Sequence, residues 1–211
     1  MNWLSEIREG AADLLFGRRC GICGQLEAPA ICEVCRSNFQ PFEPDDPPPN
    51  PLEESFAVFI YESQARAAVH QLKYERATSL ARPMSELLDE FIASQNVPPF
   101  DTIIPVPIHA ARLRERGFNQ SELLCEALDS EMIDTKGLIR WKATLPQASL
   151  IPQQRRTNLI GAFRAQRNFD KESILLIDDV FTTGHTVVEC AKTLIEAGAR
   201  SVMSLAFASG E

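Results

Sequence analysis

The stretch from Ile174 to Thr186, with the sequence ILLIDDVFTTGHT, constrains the fold more than any other part of the chain. Its first four residues are apolar on both faces, which is typical of a strand that is covered on both sides in a parallel sheet. Two carboxylates and a turn rich in hydroxyl groups follow, and a helix is predicted from Val187 to Ala197. Because parallel sheets bind ligands at the carboxyl ends of their strands, this turn is the first candidate site.

The residues of this turn indicate the kind of ligand. The start of a helix favours a phosphate group, because its backbone N–H groups and its dipole both attract an anion. Threonine hydroxyls add donors and glycine permits close approach, so the predicted phosphate-binding residues are Thr182, Thr183, Gly184, His185 and Thr186. Asp178 and Asp179 would accept hydrogen bonds from ribose hydroxyls or bind a hydrated Mg²⁺. The pattern describes a ribose 5-phosphate site; the alternative is an ordinary strand, turn and capped helix with exposed aspartates.

The length and the net charge of the chain limit the number of domains and the kinds of partner that it can have. With 211 residues the chain suits one α/β domain and a small appendage. The net charge of −8 argues against a surface that is basic throughout, so any contact with nucleic acid must be local. Residues 1–19 predict a helix with one apolar face that acidic residues interrupt, and this is neither a signal peptide nor a membrane span. We therefore expect no membrane span, a cytoplasmic location and reduced cysteines.

Four cysteines near the amino terminus have the spacing of a metal site. Cys20, Cys23, Cys32 and Cys35 form two CxxC pairs separated by a short spacer, which lets two pairs of thiolates close on one ion. Zinc is favoured, in a structural role, because four thiolates fill a tetrahedral coordination sphere. Disulfides and redox-active CxxC pairs are the alternatives. Cys125 and Cys190 lie on helical patterns and are expected to be small buried residues.

A segment rich in proline and acidic residues predicts a domain boundary. Residues 41–54, PFEPDDPPPNPLEE, suit neither a regular helix nor a strand and indicate a semi-rigid spacer. The predicted domains are therefore 1–42, with the amino-terminal helix and the cysteine module, the linker 43–54, and an α/β domain at 55–211.

The remaining periodic segments supply the other layers of this α/β domain. Strands are predicted at 56–61, 101–107 and 201–208, and helices at 63–74, 80–93 and 120–128. The segment 108–119 is predicted to be a loop that carries Arg112, Arg114 and Arg116 at the carboxyl end of a strand. Guanidinium groups match phosphate oxygens in pairs, so this loop indicates either a pyrophosphate site or a solvated basic surface.

A second basic segment extends from Thr135 to Phe169 and contains no acidic residue. Charge this one-sided inside an acidic protein marks a local anion-binding surface. The segment has little hydrophobic periodicity, which suits a mobile loop that closes over a charged ligand. A solvated flank that balances the acidic linker is the alternative.

Several motifs together resemble one family, the ComF or GntX group of competence-associated, phosphoribosyltransferase-like proteins. The resemblance covers most of the chain. The motifs that carry it are the cysteine module at 20–35, LKY at 72–74, IIPVPIHAARLRERGFNQ at 103–120, TLPQ at 144–147, RRTNLIGAF at 155–163 and LLIDDVFTTGHT at 175–186. The last motif closely resembles the site for 5-phosphoribosyl 1-pyrophosphate (PRPP) of type I phosphoribosyltransferases. The fold that this implies is a type I phosphoribosyltransferase-like parallel sheet flanked by helices.

The resemblance also implies roles for individual residues. Asp178 and Asp179 would be catalytic by holding the ribose hydroxyls, and the Thr182–Thr186 loop would bind the 5-phosphate. Lys73, Arg112 and Arg116 would bind PRPP, together with Mg²⁺. The implied flexible cover contains Thr144, Gln147, Arg155, Arg156 and Asn158.

The implied function has two versions. In one, the protein transfers a phosphoribosyl group from PRPP to an unknown acceptor in a process linked to DNA uptake or utilisation. In the other, which rests on the cysteine module, the basic segment 135–169 and the lack of a recognisable acceptor site, it is a non-catalytic adaptor or nucleic-acid-binding protein that keeps the fold. The implied partners are single-stranded DNA or the proteins of competence and recombination.

Overall fold

A computed structural model of the protein describes residues 18–44, 46–95, 97–143 and 159–210. The strands, in chain order, are β1 (Ser55–Ile60), β2 (Thr102–Pro105), β3 (Leu138–Arg140), β4 (Phe163–Ala165), β5 (Ser173–Phe181) and β6 (Ser201–Ser209). The α-helices are α1 (Glu33–Ser37), α2 (Ser63–Tyr74), α3 (Ala81–Ser94), α4 (Ala110–Arg116), α5 (Gln120–Leu123) and α6 (His185–Glu196), and a 3₁₀ helix spans Thr78–Leu80. This alternation of strands and helices is typical of an α/β fold.

Four of the strands form one parallel sheet in the order β1-β6-β5-β2. Within it, Ile177 of β5 pairs with Pro105 of β2 on one side and with Leu205 of β6 on the other. The carboxyl ends of the four strands therefore lie along one edge of the sheet. The predicted α/β class, with a parallel sheet flanked by helices, is confirmed.

A hydrophobic core covers each face of this sheet. On one face, Leu175 and Ile177 belong to a core that includes buried residues of α2 and α3. On the other face, Ile174 and Leu176 pack with buried residues of α6. Because alternate residues of a strand point to opposite faces, both sets must be apolar, and this explains the continuous apolar run of β5.

The structure corrects several predicted element boundaries. β5 continues to Phe181 and so includes both aspartates, and α6 begins at His185, two residues earlier than predicted. Much of the predicted loop 108–119 is helix α4, which His109 caps through its Nδ1 atom and which ends at Gly117 with φ of 90°. The helix predicted at 120–128 stops at Leu123. Beyond its end, the backbone N–H of Ala127 donates a hydrogen bond to the side chain of Ser85.

The basic segment 135–169 contains two strands that the sequence did not predict. β3 and β4 pair in an antiparallel two-stranded sheet, with Ile139 opposite Arg164. Leu138 and Phe163 are buried while Ile139 is 37% exposed, but three residues per strand are too few to show a period of two in the sequence. The predicted flexible cover lies in 144–158, outside the described residues, so Thr144, Gln147, Arg155, Arg156 and Asn158 stay predictions.

The cysteine module packs directly on the main sheet. Cys20, Cys32 and Cys35 are buried in the same hydrophobic core as Leu72 of α2 and Phe207 of β6. The proline-rich segment is hydrogen-bonded along β1 and β6, through Phe42 to Val58 and through Glu53 to Val202. The proposed boundaries at 42 and 54 stay predictions, as does the amino-terminal helix, which falls mostly on residues 1–17 outside the described ranges. Within the described ranges, the helices are all too short or too polar to traverse a bilayer.

Candidate functional site

The predicted phosphate loop connects β5 to α6 at the carboxyl edge of the sheet. Gly184 is the N-cap residue of α6, so this twelve-residue helix begins without a capping side chain. Gly184 has φ of 70°, and a Cβ atom there would lie 2.8 Å from the Phe181 ring. Both facts explain the need for glycine. Thr183 Oγ1 and His185 Nδ1 lie 2.6 Å apart within the loop. A helix start of this kind favours an anion.

The two aspartates at the end of β5 have different surroundings. Asp179 is 3% exposed and forms an ion pair with Lys73, which lies in the last turn of α2. Asp178 is half-buried, and its Oδ1 atom accepts a hydrogen bond from Ser121 Oγ at 3.1 Å and another from the backbone N–H of Asp179 at 2.9 Å. The structure therefore places Lys73 against Asp179, and its predicted role in PRPP binding stays a prediction.

Because Lys73 pairs with Asp179, the pKa values of the two aspartates shift in opposite directions. Burial and the neighbouring charge of Asp179 raise the pKa of Asp178 to about 8. Burial alone would raise the pKa of Asp179 as well, but the Lys73 ammonium group reverses this effect and lowers that pKa below its ordinary value. Burial alone would lower the pKa of Lys73, and the Asp179 carboxylate raises it instead. Near neutral pH, Lys73 and Asp179 form a charged pair beside a largely protonated Asp178.

The raised pKa of Asp178 predicts a pH dependence of stability. The folded protein keeps a proton that the unfolded chain releases above about pH 4. The stabilisation from this proton is fully present below about pH 4 and is lost as the pH rises through about 8. We expect the free energy of unfolding of the wild type, minus that of Asp178→Asn, to fall over this range in urea unfolding experiments. A difference that does not change with pH would contradict the raised pKa.

Ser121 is a site residue that the sequence analysis missed. It is fully buried directly after the RGFNQ motif, and its hydroxyl group contacts Asp178. Asn119 of this motif is the N-cap residue of α5: its Oδ1 atom accepts from the Ser121 backbone N–H, and its Nδ2 atom donates to the Val106 carbonyl after β2. The motif therefore holds α5 against the end of the sheet. Ser121 follows a loop at the carboxyl end of β2, and this position indicated that it could lie near the site. The residue type alone does not show that its partner is Asp178.

Two arginines, Arg112 and Arg140, are electrostatically linked to each other, and Arg140 is linked to Asp178. Arg140, at the end of β3, has a pKa that burial lowers, and the charge of Arg112 lowers it further, while Cys190 and Asp178 oppose these effects. The charges of Arg112 and Asp178 therefore both act on Arg140. Of the two arginines, only Arg112 was predicted for the site. The other predicted arginine, Arg116, is half-buried, donates to Gln120 and lies with its Cζ 5.7 Å from the centre of the Tyr74 ring.

The four amino-terminal cysteines form a cluster that fits a tetrahedral metal ion. Their sulfur atoms all lie within 4.8 Å of one another. The Sγ atoms of Cys20 and Cys35 are 3.8 Å apart, and those of Cys23 and Cys32 are 3.7 Å apart. A tetrahedron with zinc–sulfur bonds of about 2.3 Å has sulfur–sulfur edges of about 3.8 Å. A disulfide bond of about 2.05 Å is far shorter than either distance, and all four cysteines are free. The predicted four-cysteine cluster is confirmed, with zinc as the ion that its donors fit.

The surroundings of the cluster differ among its cysteines. Burial alone would raise the pKa of Cys20, but hydrogen bonds from neighbouring backbone N–H groups lower it to about 6. Burial and the adjacent thiols raise the pKa of Cys35 above its ordinary value. The backbone around Cys20 therefore favours the thiolate form that binds a metal. Cys125 and Cys190, predicted to be small buried residues, are 2% and 0% exposed.

Comparison with solved structures gives weak likenesses. The chain is similar to phosphoribosylpyrophosphate synthetase from Mycobacterium smegmatis, with 16% identity and a TM-score of 0.35 over 61% of this chain and 33% of that one. It is also similar to purine phosphoribosyltransferase from Pyrococcus horikoshii Ot3, with 12% identity and a TM-score of 0.29 over 72% of this chain and 76% of that one. These TM-scores are too low to carry an argument. No protein-family model matches the chain.

Comparison with curated proteins gives much stronger matches. The chain is 35% identical to DNA utilization protein YhgH of Salmonella typhi over 161 residues, which are 73% of this chain and 71% of the relative. For the protein of the same name from Salmonella typhimurium the identity is 34% over 197 residues, or 88% of this chain and 82% of the relative. Competence protein F of Haemophilus influenzae is 37% identical over 109 residues, 48% of this chain and 47% of that protein. The chain therefore belongs to the ComF family of competence and DNA utilization proteins.

Proposed function

We propose that the protein binds PRPP at the carboxyl edge of its parallel sheet and transfers the phosphoribosyl group to an acceptor. The observation that supports this most is the arrangement around Asp178. Asp178 lies near the end of β5, which the loop 182–184 connects to the uncapped start of α6, and the charges of Asp178 and Arg112 both act on Arg140. PRPP has a phosphate, ribose hydroxyls and a pyrophosphate. The phosphate suits the helix start, the hydroxyls suit the Asp178 carboxyl group, and the pyrophosphate suits the two arginines.

In this proposal each group has one task. The loop Thr182–Thr186 binds the 5-phosphate, and Asp178 accepts hydrogen bonds from the ribose hydroxyls. Lys73 and Asp179 hold each other in place beside the sugar, so their role is positioning. The cations that neutralise pyrophosphate are Arg112, Arg140 and, in part, Arg116.

The chemical step needs no nucleophile from the protein. The bond between C1 of the ribose and pyrophosphate breaks, the acceptor forms the new bond to C1, and a proton leaves the acceptor. The positive charge that develops on the sugar and the negative charge on pyrophosphate are both stabilised by fixed groups of the site. Once it loses its proton, Asp178 also suits a hydrated Mg²⁺, which would neutralise pyrophosphate when bound.

Replacing Arg140 tests the assignment of the pyrophosphate end. Arg140→Gln is expected to weaken binding of PRPP and of pyrophosphate by about tenfold or more, because a charge-assisted contact is lost. Binding of ribose 5-phosphate should change by less than about twofold, since it lacks the pyrophosphate. Calorimetric titration with each of the three ligands, in the presence of Mg²⁺, measures these affinities.

Lys142→Gln is the matched control, because Lys142 carries the same charge two residues away and is exposed. It should leave all three affinities nearly unchanged. Absence of PRPP binding in the wild type would refute the proposed function itself. Equal losses for PRPP and ribose 5-phosphate in Arg140→Gln would place Arg140 at the wrong end of the ligand.

Turnover needs a separate measurement. Incubation with Mg²⁺, labelled PRPP and candidate bases, nucleosides or nucleic acids should release pyrophosphate with one acceptor class. Binding of PRPP without pyrophosphate release for every acceptor would favour a protein that keeps the fold and senses PRPP.

The second candidate function is binding of nucleic acid as an adaptor. It is favoured by the acid-free segment 135–169 in a protein of net charge −8, and by the words "DNA utilization protein" in the names of its relatives. In this version the partners are single-stranded DNA and the proteins of competence or recombination, and the protein acts in the cytoplasm. Binding of a single-stranded oligonucleotide that weakens steeply with salt would support it.

A further inference from the structure

The two-stranded sheet of β3 and β4 has two faces of different character. Its inner face places Leu138 and Phe163 in the core beneath it, and Arg140, which pairs with Phe163, shares this face. Its outer face carries the cross-strand pair Ile139 and Arg164. We call the outer surface formed by Ile139, Trp141, Ile160 and Arg164 the Trp141 face. The exposed fractions of its apolar members are 37% for Ile139, 46% for Trp141 and 59% for Ile160.

Trp141 is held in a fixed orientation at the centre of this face. Its indole Nε1 atom donates a hydrogen bond of 2.9 Å to the Gly161 carbonyl. The guanidinium carbon of Arg164 lies 3.7 Å from the centre of the indole ring. This distance is close to van der Waals contact, so the cation covers the ring directly rather than at the outer limit of about 6 Å for such pairs. The Arg164 guanidinium group therefore packs against the indole ring of Trp141.

The exposed cations at the Trp141 face are Arg164 and Lys142, the residue after Trp141. The described parts of the acid-free segment carry Lys136, Arg140, Lys142, Arg164 and Arg167. Arg167 is paired with Asp134 and Glu172, so its charge is already balanced.

A groove of about 580 Å³ adjoins this face and is bounded by Ile160, Arg164, Lys192, Glu189 and Glu196. Of its two carboxylates, Glu189 is paired with Lys192 at 2.7 Å. The cations Lys142 and Arg164 remain on the open surface, where an anionic chain can reach them.

We propose that the Trp141 face is a stacking platform for single-stranded nucleic acid. Unpaired bases present flat π surfaces that stack on indole rings and on guanidinium planes, and their phosphates pair with nearby lysines and arginines. A duplex hides its base faces, so it can use only the cations. The inference deepens the second candidate function by naming its binding surface. It is independent of PRPP binding, because the platform lies on the opposite face of the β3–β4 sheet from Arg140.

Tryptophan fluorescence gives a direct test. The chain has two tryptophans, so Trp3→Phe leaves Trp141 as the sole indole reporter. Titration of this variant with an oligothymidylate should quench the Trp141 emission, and the affinity should fall steeply as salt is raised. A hairpin duplex of equal length should bind less tightly and quench little.

Substitutions then measure the contribution of the stack. Trp141→Ala and Arg164→Ala, in the otherwise unchanged chain, are each expected to weaken oligothymidylate binding by about tenfold in an anisotropy assay. Trp141→Phe keeps an aromatic ring and should lose less than Trp141→Ala, which separates stacking from general damage to the fold. Arg82→Ala removes an exposed arginine on α3 and should leave the affinity unchanged.

Each other outcome is decisive. If the oligonucleotide binds but does not quench the Trp141 emission, the binding site lies elsewhere on the protein. If Trp141→Ala binds the oligonucleotide with unchanged affinity, the Trp141 face is not the stacking platform. Equal quenching by duplex would show binding of phosphates without stacking. A change of oligomeric state in Trp141→Ala would instead assign the face to a second copy of the chain. PRPP affinity, measured in the same variants, should not change; its loss in the wild type would refute the first proposal and leave this one standing.

Discussion

Replacing Lys73 by methionine is expected to lower the free energy of unfolding by about 3 kcal/mol. The substitution removes the partner of Asp179, a carboxylate whose side chain is 4% exposed, and leaves an uncompensated charge at the end of β5. The side chain of Lys73 is itself only 20% exposed, so solvent screens the pair little. Urea unfolding near neutral pH, followed by circular dichroism, measures the change.

Two further variants distinguish the loss of a buried pair from the loss of a lysine. Lys73→Met combined with Asp179→Leu removes both charges and should recover most of the lost stability, because the cost lies in the unpaired charge. Lys192→Met removes a lysine that is 52% exposed and paired with Glu189, and should cost less than about 1 kcal/mol. If the double variant is less stable than Lys73→Met alone, the cost does not lie in the unpaired charge of Asp179, and the two side chains stabilise the fold in another way.

The local part of the site was predictable because its signals are contiguous. A buried strand, two carboxylates and a glycine turn into a helix follow one another within Ile174–Thr186, and each signal depends on near neighbours. The same holds for the cysteine cluster, because the short spacing of its two CxxC pairs lets all four thiolates meet at one metal ion. Local signals gave β5 and α6 to within a few residues, although they ended β5 too early because aspartate is uncommon in strands.

The parts that could not be predicted depend on residues far apart in the chain. Ser121 reaches Asp178 across 57 positions, and neither residue type specifies the other. Arg140 is one of several basic residues in an acid-free segment. The pairing of β3 with β4 places it on the inner face of the small sheet, where its charge and that of Asp178 act on each other. Lys73 was implied by a motif, but its burial against Asp179 follows from the packing of α2 on the sheet.

The cysteine cluster is connected to the candidate site through α2. Cys35 Sγ lies 4.0 Å from the Gln64 side chain in the first turn of this helix, and Lys73 lies in the last turn. Between these ends, Ala68, Val69 and Leu72 are completely buried in the core that also holds three of the cysteines. The cluster is therefore part of the hydrophobic core against which α2 packs.

Removal of the metal is therefore expected to loosen α2 as well as the cysteine module. Metal analysis should find about one zinc per chain. Structural zinc contributes about 10 kcal/mol or more in isolated zinc-binding peptides, which is comparable to the whole stability of a domain. We expect chelation to lower the melting temperature of the entire protein and to speed amide hydrogen exchange at 20–35 and in α2 together. PRPP affinity should fall in parallel, since Lys73 and Asp179 lose their support.

A cysteine outside the cluster separates the effect of the metal from that of a lost thiol. Cys35→Ser should reproduce the exchange pattern of the chelated wild type and should respond little to further chelation. Cys125→Ala removes a cysteine that is equally buried, at 2% exposed, but has no place in the cluster, so this variant should keep its zinc and its sensitivity to chelator. If α2 keeps its protection while residues 20–35 lose theirs, the module is an independent unit. Protection lost in both would show that the metal helps to hold Lys73 against Asp179.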